Sequence, residues 1–293
     1  MAEASRKYQA RALLGLIGAP IKSSASPAMH EAAGKALGIR CHYQLIEIPG
    51  ADRDELGRIL YGVRRLGFSG VNVTFPYKEA VIPLLDDLSP GARALGAVNT
   101  VVVREGRLVG HNTDASGFRR AVRPLVEEAG RGPVALLGAG GVGKAIAVAL
   151  AELGVIDIRI FDTDGAKSAS LAALIGPRAK ATACGSVAEA LEGAVGLVNG
   201  TPIGMAPNRD TPVPTDLLHA KLFVADAVYS PLWTPLLQNA RGAGARIMTG
   251  RDLAVFQAAD AFELFTGARP STDVMGAAFD AAMEERDRAA NSA

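Results

Sequence analysis

The chain has 293 residues, 49% of them hydrophobic and 21% charged, with a formal net charge of +1 at pH 7. That length accommodates two α/β domains or one large one, and the apolar share excludes disorder over most of the chain. A charge so close to zero gives no electrostatic ground for a nucleic acid or an anionic membrane as partner.

In chain order, "LLGLIGAP" (13–20) reads as a strand and "SPAMHEAAGKALG" (26–38) as a helix, with Ser26 as N-cap and Pro27 at its first position. "CHYQLIEI" (41–48) is a second strand, and "ADRDELGRILYGVRRLG" (51–67) an amphipathic helix ended by Gly67. "VNVTFPYKEA" (71–80) supplies a third strand: Val71, Val73 and Phe75 alternate with Asn72 and Thr74, and Pro76 closes it. "YKEAVIPLLDDL" is expected as the third helix, and "GAVNTVVVREGRLVGHNTD" (96–114) as a hairpin turning at Glu105-Gly106. Strands alternating with helices imply a largely parallel sheet faced by helices.

"ASGFRRAVRPLVEEAGRG" (115–132) is a helix ending in a glycine-rich break, the connection to a second domain. The pattern then restarts. "PVALLGAGGVGKAIAVALAELG" is strand, glycine turn and helix, and further strands are "DIRIFDTD", "GLVNGT" (196–201), "LFVADAV" (222–228) and "ARIMTG" (245–250). Two helices follow, through "RDLAVFQAADAFELFTGARP" and "DVMGAAFDAAMEERDR", with no strand after them, so they are expected to fold back on the first domain. The tail "AANSA" is expected to fray. Residues 1–114 with 251–293 thus form one α/β domain and 115–250 the other.

Cys41 and Cys184 lie far apart without CxxC spacing and read as reduced core thiols of a cytosolic protein. His30, His42, His111 and His219 lack metal-ligand spacing, so no metal site is expected. The first twenty residues hold too short an apolar run for a signal peptide, and no later run approaches membrane length.

"LLGAGGVGKA" fits GxGxxG at Gly138, Gly140 and Gly143, between an apolar strand and an alanine-rich helix. The first glycine permits a tight turn, the second lets backbone approach a pyrophosphate, and the third lets helix pack on strand. Asp162 ends the next strand, where an acid bonds the adenine ribose hydroxyls; the alternative is that it merely caps the turn, as Asp164 could. A carboxylate there suits a free 2′-hydroxyl and repels a 2′-phosphate, and Lys167 is the nearest cation, so NAD is favoured over NADP.

Lys78 follows a strand's carboxyl end, where ligand crevices form in open α/β sheets; the alternative is a solvated first-turn side chain. Asp114 also follows a strand, and its alternative role is a helix N-cap. Together the two would make an acid/base pair, the carboxylate holding the ammonium and the lysine exchanging a proton with an alcohol or carbonyl oxygen. Ser24 and Ser26 could face an anion at a helix start, or simply form a Ser-Pro cap in a serine-rich turn.

The succession "GAPIKSSASPAMH", "NVTFPYK", "GAVNT", "GHNTDASG", "GAGGVGKA", "NGTPIGM", "DAVYSPLWTPLL" and "AVFQAADAFELFTG" resembles the shikimate/quinate dehydrogenase family over nearly the whole chain. The resemblance implies two α/β domains with the active site in the cleft between them, the first closed by the C-terminal helices and the second a Rossmann domain. It implies Lys78 and Asp114 as the catalytic pair, and Ser24 and Ser26 on the substrate carboxylate, helped by Tyr229. Thr74, Asn99 and Gln257 would contact the ring hydroxyls. Gly138, Ala139, Gly140, Gly141, Val142, Gly143 and Asp162 would hold the dinucleotide, and Asn199, Thr201, Pro202, Met205 and Gly250 would line the nicotinamide.

The implied activity is NAD-preferring oxidation of shikimate to 3-dehydroshikimate, with quinate activity left open, in aromatic amino-acid biosynthesis or quinate/shikimate catabolism. A cytoplasmic monomer or homodimer is expected, with small molecules as its partners. The alternatives are a quinate or aminoshikimate dehydrogenase on the same scaffold, or a ligand-sensing homologue without catalysis. The chain departs from the family at Ser23, where histidine is usual, and at Leu253 and Ala254, where a methionine is often found. It also has Asp162-Thr163-Asp164 where NADP-preferring members have Asn-Arg-Thr, a departure that supports NAD.

Overall fold

The computed structural model of the protein describes residues 10–291. The chain divides into two compact units: one takes the chain up to Asn112 and again from Ala258, and the other is Thr113–Gln257. The start of the N-terminal stretch considered for a signal peptide, residues 1–9, lies outside the described residues.

In the first unit, β1 (Arg11–Gly18), α1 (Ser26–Ala36), β2 (Arg40–Glu47), α2 (Arg53–Arg65) and β3 (Gly70–Val73) alternate as the sequence pattern predicts. Asp52 caps α2 by accepting the Glu55 N–H at 2.8 Å, a cap of the kind that contributes about 1 kcal/mol. Two short elements then replace the expected third helix: a 3-10 turn at Ile82–Leu84 and β4 (Asp87–Leu88). Pro83 cannot donate a helical hydrogen bond, and Asp86 N–H and Ser89 N–H instead bond across to the carbonyls of Leu108 and Gly110. α3 (Pro90–Leu95), capped by Ser89, was not expected from the sequence.

The hairpin β5 (Thr100–Arg104) and β6 (Arg107–His111) turns where expected, with Glu105 and Gly106 both at positive φ, the conformation of a two-residue hairpin turn. The sheet order is β2-β1-β3-β5-β6-β4; β1 pairs in parallel with β2 and β3, while β3–β5 and β5–β6 are antiparallel. The sheet is therefore mixed, because the hairpin adds its strands without a crossover. β3 is buried at every residue and stops at Val73; Phe75, expected to share its core face, is 72% exposed beyond the strand's end.

The second unit holds α4 (Asp114–Ala129), β7 (Val134–Leu137), α5 (Gly141–Glu152), β8 (Asp157–Phe161), α6 (Gly165–Ile175), β9 (Lys180–Ala183), α7 (Val187–Leu191), β10 (Gly196–Asn199), β11 (Phe223–Asp226), α8 (Pro235–Gly242) and β12 (Arg246–Met248). The sheet is parallel throughout, in the order β12-β11-β10-β7-β8-β9. Counted from β7, that is the 3-2-1-4-5-6 order of a Rossmann sheet, and its direction reverses between β7 and β10.

The boundary between the units falls inside α9 (Gly250–Thr266), and α10 (Thr272–Asn291) packs on α1 in the first unit. The helix reaches Asn291, further than the expected fraying of the tail, and Ser292 and Ala293 lie outside the described residues. Among the described residues no helix is long and apolar enough to cross a membrane, and no group of His, Cys, Asp or Glu could hold a metal ion.

Candidate functional site

At the start of α1 the N-cap position falls to Ala25, one residue before Ser26, and no side chain caps the helix. Ser26 is already helical, and Ser24 receives its N–H at 3.2 Å while donating its own hydroxyl to Ser26 Oγ at 3.1 Å. Ser26 is thus not the N-cap, and its hydroxyl is available for another duty. Tyr43 stands on β2 with its ring stacked on His30 of α1 at 4.6 Å, and its phenol opens a hydrogen-bonded network with Asn72.

The donor direction of this network follows from one atom. Asn72 Nδ2 lies 3.2 Å from the backbone carbonyl of Asn99, which can only accept, so the NH2 of Asn72 faces that way. Asn72 Oδ1 therefore accepts from the Tyr43 hydroxyl at 2.8 Å. Thr100 Oγ1 takes the other Asn72 proton at 3.0 Å and passes its own to Asn99 Oδ1 at 3.0 Å. Asn72, Asn99 and Thr100 are all buried, and the mouth of the first sheet is so lined by a chain of amides and hydroxyls with fixed polarity. Burial pushes the Tyr43 phenol well above its ordinary pKa, and burial lowers His30 to about 3, so both are neutral at pH 7.

Thr74 and Lys78 follow the end of β3. Thr74 N–H bonds the Ile17 carbonyl at 2.9 Å, and the Lys78 carbonyl accepts Val98 N–H at 2.8 Å, so both are anchored by backbone. Lys78 is half-buried.

In the second unit the glycine turn joins β7 to α5 at the point where strand order reverses. Gly138 has φ +92°, and a Cβ there would meet Thr201 Cγ2 at 2.9 Å. A Cβ on Gly143 would collide with the Gly138 carbonyl oxygen, so the third glycine is what lets α5 lie against β7. A Cβ on Gly140 or Gly141 would meet nothing, leaving backbone open to a ligand. No side chain caps α5, whose first N–H groups and positive dipole end suit a phosphate. Ala139 is buried and Val142 half-buried within the turn. Asp162 Oδ2 accepts Ala139 N–H at 2.7 Å, and Oδ1 accepts Asp164 N–H at 2.9 Å, fixing the acid beside the turn. These features fit a dinucleotide.

Past β10 the segment 199–205 folds on the Asn199 side chain. Thr201 donates to Asn199 Oδ1 through its N–H at 3.0 Å and its hydroxyl at 2.7 Å, and Ile203 N–H bonds Thr201 Oγ1 at 3.1 Å. Asn199 is fully buried, whereas Pro202 and Met205 are exposed. Beneath lies Asp226, fully buried, accepting from Asn199 Nδ2 and Val228 N–H at 2.9 Å each and from Thr234 Oγ1 at 2.7 Å. Burial raises its pKa to about 6 against the pull of those three hydrogen bonds.

Of the remaining expected residues, Asp114 opens α4, with Thr113 in the cap position, so it is not the N-cap. Gln257 donates to the Ala254 carbonyl at 3.1 Å, Tyr229 is 37% exposed, and Gly250 is buried against Val228, with no room for a Cβ. Tyr43, Asn72, Thr100, Asp226 and Thr234 were missed as site residues. A polar residue inside an apolar strand was the available signal for Asn72, and an acid at a strand's end for Asp226. Nothing local marks the others.

The family model described as the shikimate dehydrogenase substrate binding domain matches residues 16–101. A Streptomyces avermitilis protein named shikimate dehydrogenase (NADP(+)) is 44% identical over 89% of this chain and 92% of its own. A Corynebacterium efficiens protein named quinate/shikimate dehydrogenase (NAD(+)) is 43% identical over 91% of this chain and 97% of its own. Among solved structures, quinate dehydrogenase from Corynebacterium glutamicum in complex with NAD superposes with a TM-score of 0.87 at 40% identity, over 92% of this chain and 99% of that one. Shikimate 5-dehydrogenase from Thermus thermophilus with NADP(H) and shikimate gives 0.84 at 38% identity, over the same shares of each chain.

Proposed function

The chain belongs to the shikimate/quinate dehydrogenase family, and on that premise we propose that it catalyses the reversible, nicotinamide-dependent oxidation of shikimate to 3-dehydroshikimate. The observation that carries the reading to this chain is the glycine turn at the reversal point of a Rossmann-ordered sheet, with Asp162 tied to its backbone. When bound, the nicotinamide takes or returns the hydride.

The chain's own residues handle the rest. Lys78 moves the proton: its ammonium gives one to the carbonyl oxygen on reduction, and its amine takes one from the alcohol on oxidation. Asp114 is the second member of the pair and favours the charged form of the lysine. Ser24 and Ser26 bind the substrate carboxylate with Tyr229, and Thr74, Asn99 and Gln257 bind the ring hydroxyls. The glycine turn from Gly138 to Gly143 holds the pyrophosphate. Thr201, Pro202, Met205 and Gly250 line the nicotinamide, with Asn199 beneath.

NAD is the preferred cofactor in this reading. Asp162 and Asp164 both present carboxylates at the end of β8, and Lys167 stands 3.9 Å from Asp164, which offsets its charge. A 2′-phosphate would meet net negative charge there. Similar relatives carry either cofactor in their names, so the acid pair is the discriminating feature. The names of the NAD relatives also favour quinate as a second substrate. The reaction would take place in the cytoplasm.

The test is a matrix of shikimate and quinate against NAD and NADP, followed by nicotinamide absorbance. Turnover of shikimate with NAD well above that with NADP is expected. No turnover in any of the four cells would overturn the reading, and a preference for NADP would overturn its cofactor clause.

A further inference from the structure

The side chain of Asn199 has four hydrogen-bonding positions, and the protein uses them all. Its NH2 donates to Asp226 Oδ1 at 2.9 Å and to the Ile203 carbonyl at 3.3 Å, and its oxygen accepts twice from Thr201. Being fully buried as well, it has nothing left for a ligand.

The orientation of that amide is not arbitrary. A carboxylate at neutral pH only accepts, so Asp226 forces the NH2 of Asn199 toward itself and the oxygen toward Thr201. Thr201 then spends its hydroxyl proton on Asn199 and its lone pair on Ile203 N–H. What remains of Thr201 is its methyl, which abuts Gly138 at the first glycine of the turn. The loop is thereby gauged against the pyrophosphate turn, and it shows a ligand the apolar surfaces of Pro202 and Met205. Asp226 is held in turn by Val228 N–H and by Thr234, whose oxygen also caps α8 by accepting Leu237 N–H at 3.3 Å. All of its hydrogen-bond partners are neutral.

We propose that Asp226 and Asn199 are positioning residues for the nicotinamide half of the dinucleotide: the buried carboxylate sets the Asn199 amide, and the amide sets the Thr201–Ile203 turn that receives the ring. The inference rests on the dinucleotide reading given above. It assigns Asn199 an action through the loop in place of direct contact, and it gives Asp226 and Thr234 a role.

The experiment separates the two halves of the cofactor. Binding of NADH and of ADP-ribose, which lacks the nicotinamide, is measured by calorimetry on the wild-type protein and on Asp226→Ala, Asp226→Asn and Thr234→Val. Asp226→Ala is expected to weaken NADH by about tenfold or more while ADP-ribose stays within about twofold, as for loss of hydrogen bonds that serve only one end of the ligand. Asp226→Asn keeps an accepting oxygen toward Asn199 and Val228, and should recover NADH affinity to within about threefold. Thr234→Val removes the bond to Asp226 together with the side-chain cap of α8, keeps the β-branched shape, and serves if the alanine variant does not fold; it should weaken NADH by a few-fold and spare ADP-ribose.

Equal weakening of both ligands, or none of either, would overturn the proposal, as would an asparagine variant as defective as the alanine one at an unchanged Tm. A wild-type protein that binds neither ligand would instead overturn the dinucleotide reading on which the proposal stands.

Discussion

In the first unit the buried amide of Asn72 is oriented by a backbone carbonyl, whereas in the second the buried amide of Asn199 is oriented by a carboxylate. Both anchors only accept, and both impose one direction on the hydrogen bonds beyond them. They differ in what protons do to them. A carbonyl keeps its role at any pH, so the Asn72–Thr100–Asn99 chain has no titratable member. Asp226 loses acceptor capacity once protonated, and with a pKa raised to about 6 it does so close to physiological conditions. The region proposed to read the substrate thus rests on a pH-indifferent support, and the region proposed to hold the nicotinamide rests on one that titrates.

The largest effect expected from dividing the labour in this way is on turnover. Lys78→Ala should lower kcat by about 10²–10⁴, as for loss of a general acid/base, while NADH binding and Tm stay at wild-type values. Near-normal turnover would remove Lys78 from the proton-transfer role, and lost NADH affinity would break the separation of the two regions.

The next effect is on stability against pH, where each unit contributes one buried group of opposite sign. Asp226 has a folded pKa of about 6 against a reference of 3.8, so the folded state binds the extra proton and this group's contribution falls as pH rises between those values. His30 has a folded pKa of about 3 against 6.5, so its contribution is full above pH 6.5 and is lost as pH falls toward 3. Tm measured from pH 4 to pH 7 should lose part of its acid-side fall in His30→Phe, which keeps a ring between Tyr43 and Phe262. The same fall should steepen in Asp226→Asn. Profiles parallel to wild type in both variants would refute the assignment.

Smaller again is the effect at the serine pair. Ser26→Ala should raise KM for shikimate on the order of tenfold with Tm unchanged, because a hydrogen bond to a charged group is typically worth roughly 1.5–3 kcal/mol and Ser26 is not the cap. Ser24→Ala should also lower Tm, since Ser24 accepts the Ser26 N–H. A fall in Tm confined to the Ser26 variant would reverse these roles.

The smallest change is expected at the far end of the cofactor. Asp162→Asn should narrow the gap between NAD and NADP by a few-fold in kcat/KM, since Asp164 remains to oppose the 2′-phosphate. An unmodified enzyme that already favours NADP would contradict the electrostatic argument.

How much of this was legible in the sequence depends on how local each feature is. The hairpin at Glu105-Gly106 and the strand, glycine turn and helix at 134–152 are written in adjacent residues, and both stand where the sequence places them. The expected helix at 77–88 fails because Pro83 interrupts it and its backbone finds partners on β6, more than twenty residues on, which no local periodicity reveals. The candidate site shows the same division. Gly138, Gly140, Gly143 and Asp162 follow a spacing, but the duty of Asp226 depends on Asn199 and Thr234, and that of Asn72 on Tyr43 and Thr100. Residue type marks such a group as polar and buried; only the fold names its partner.

The seating of α10 on α1 has a consequence for how the molecule is made. Met275, Phe279 and Met283 of α10 are buried, as are Met29 and Ala33 of α1, yet the whole second unit is translated between them. A chain emerging from the ribosome completes the parallel sheet before the helix that finishes the first unit exists. Until then the face of α1 that α10 covers is open to solvent, and for that interval the earlier-made unit is the one that waits.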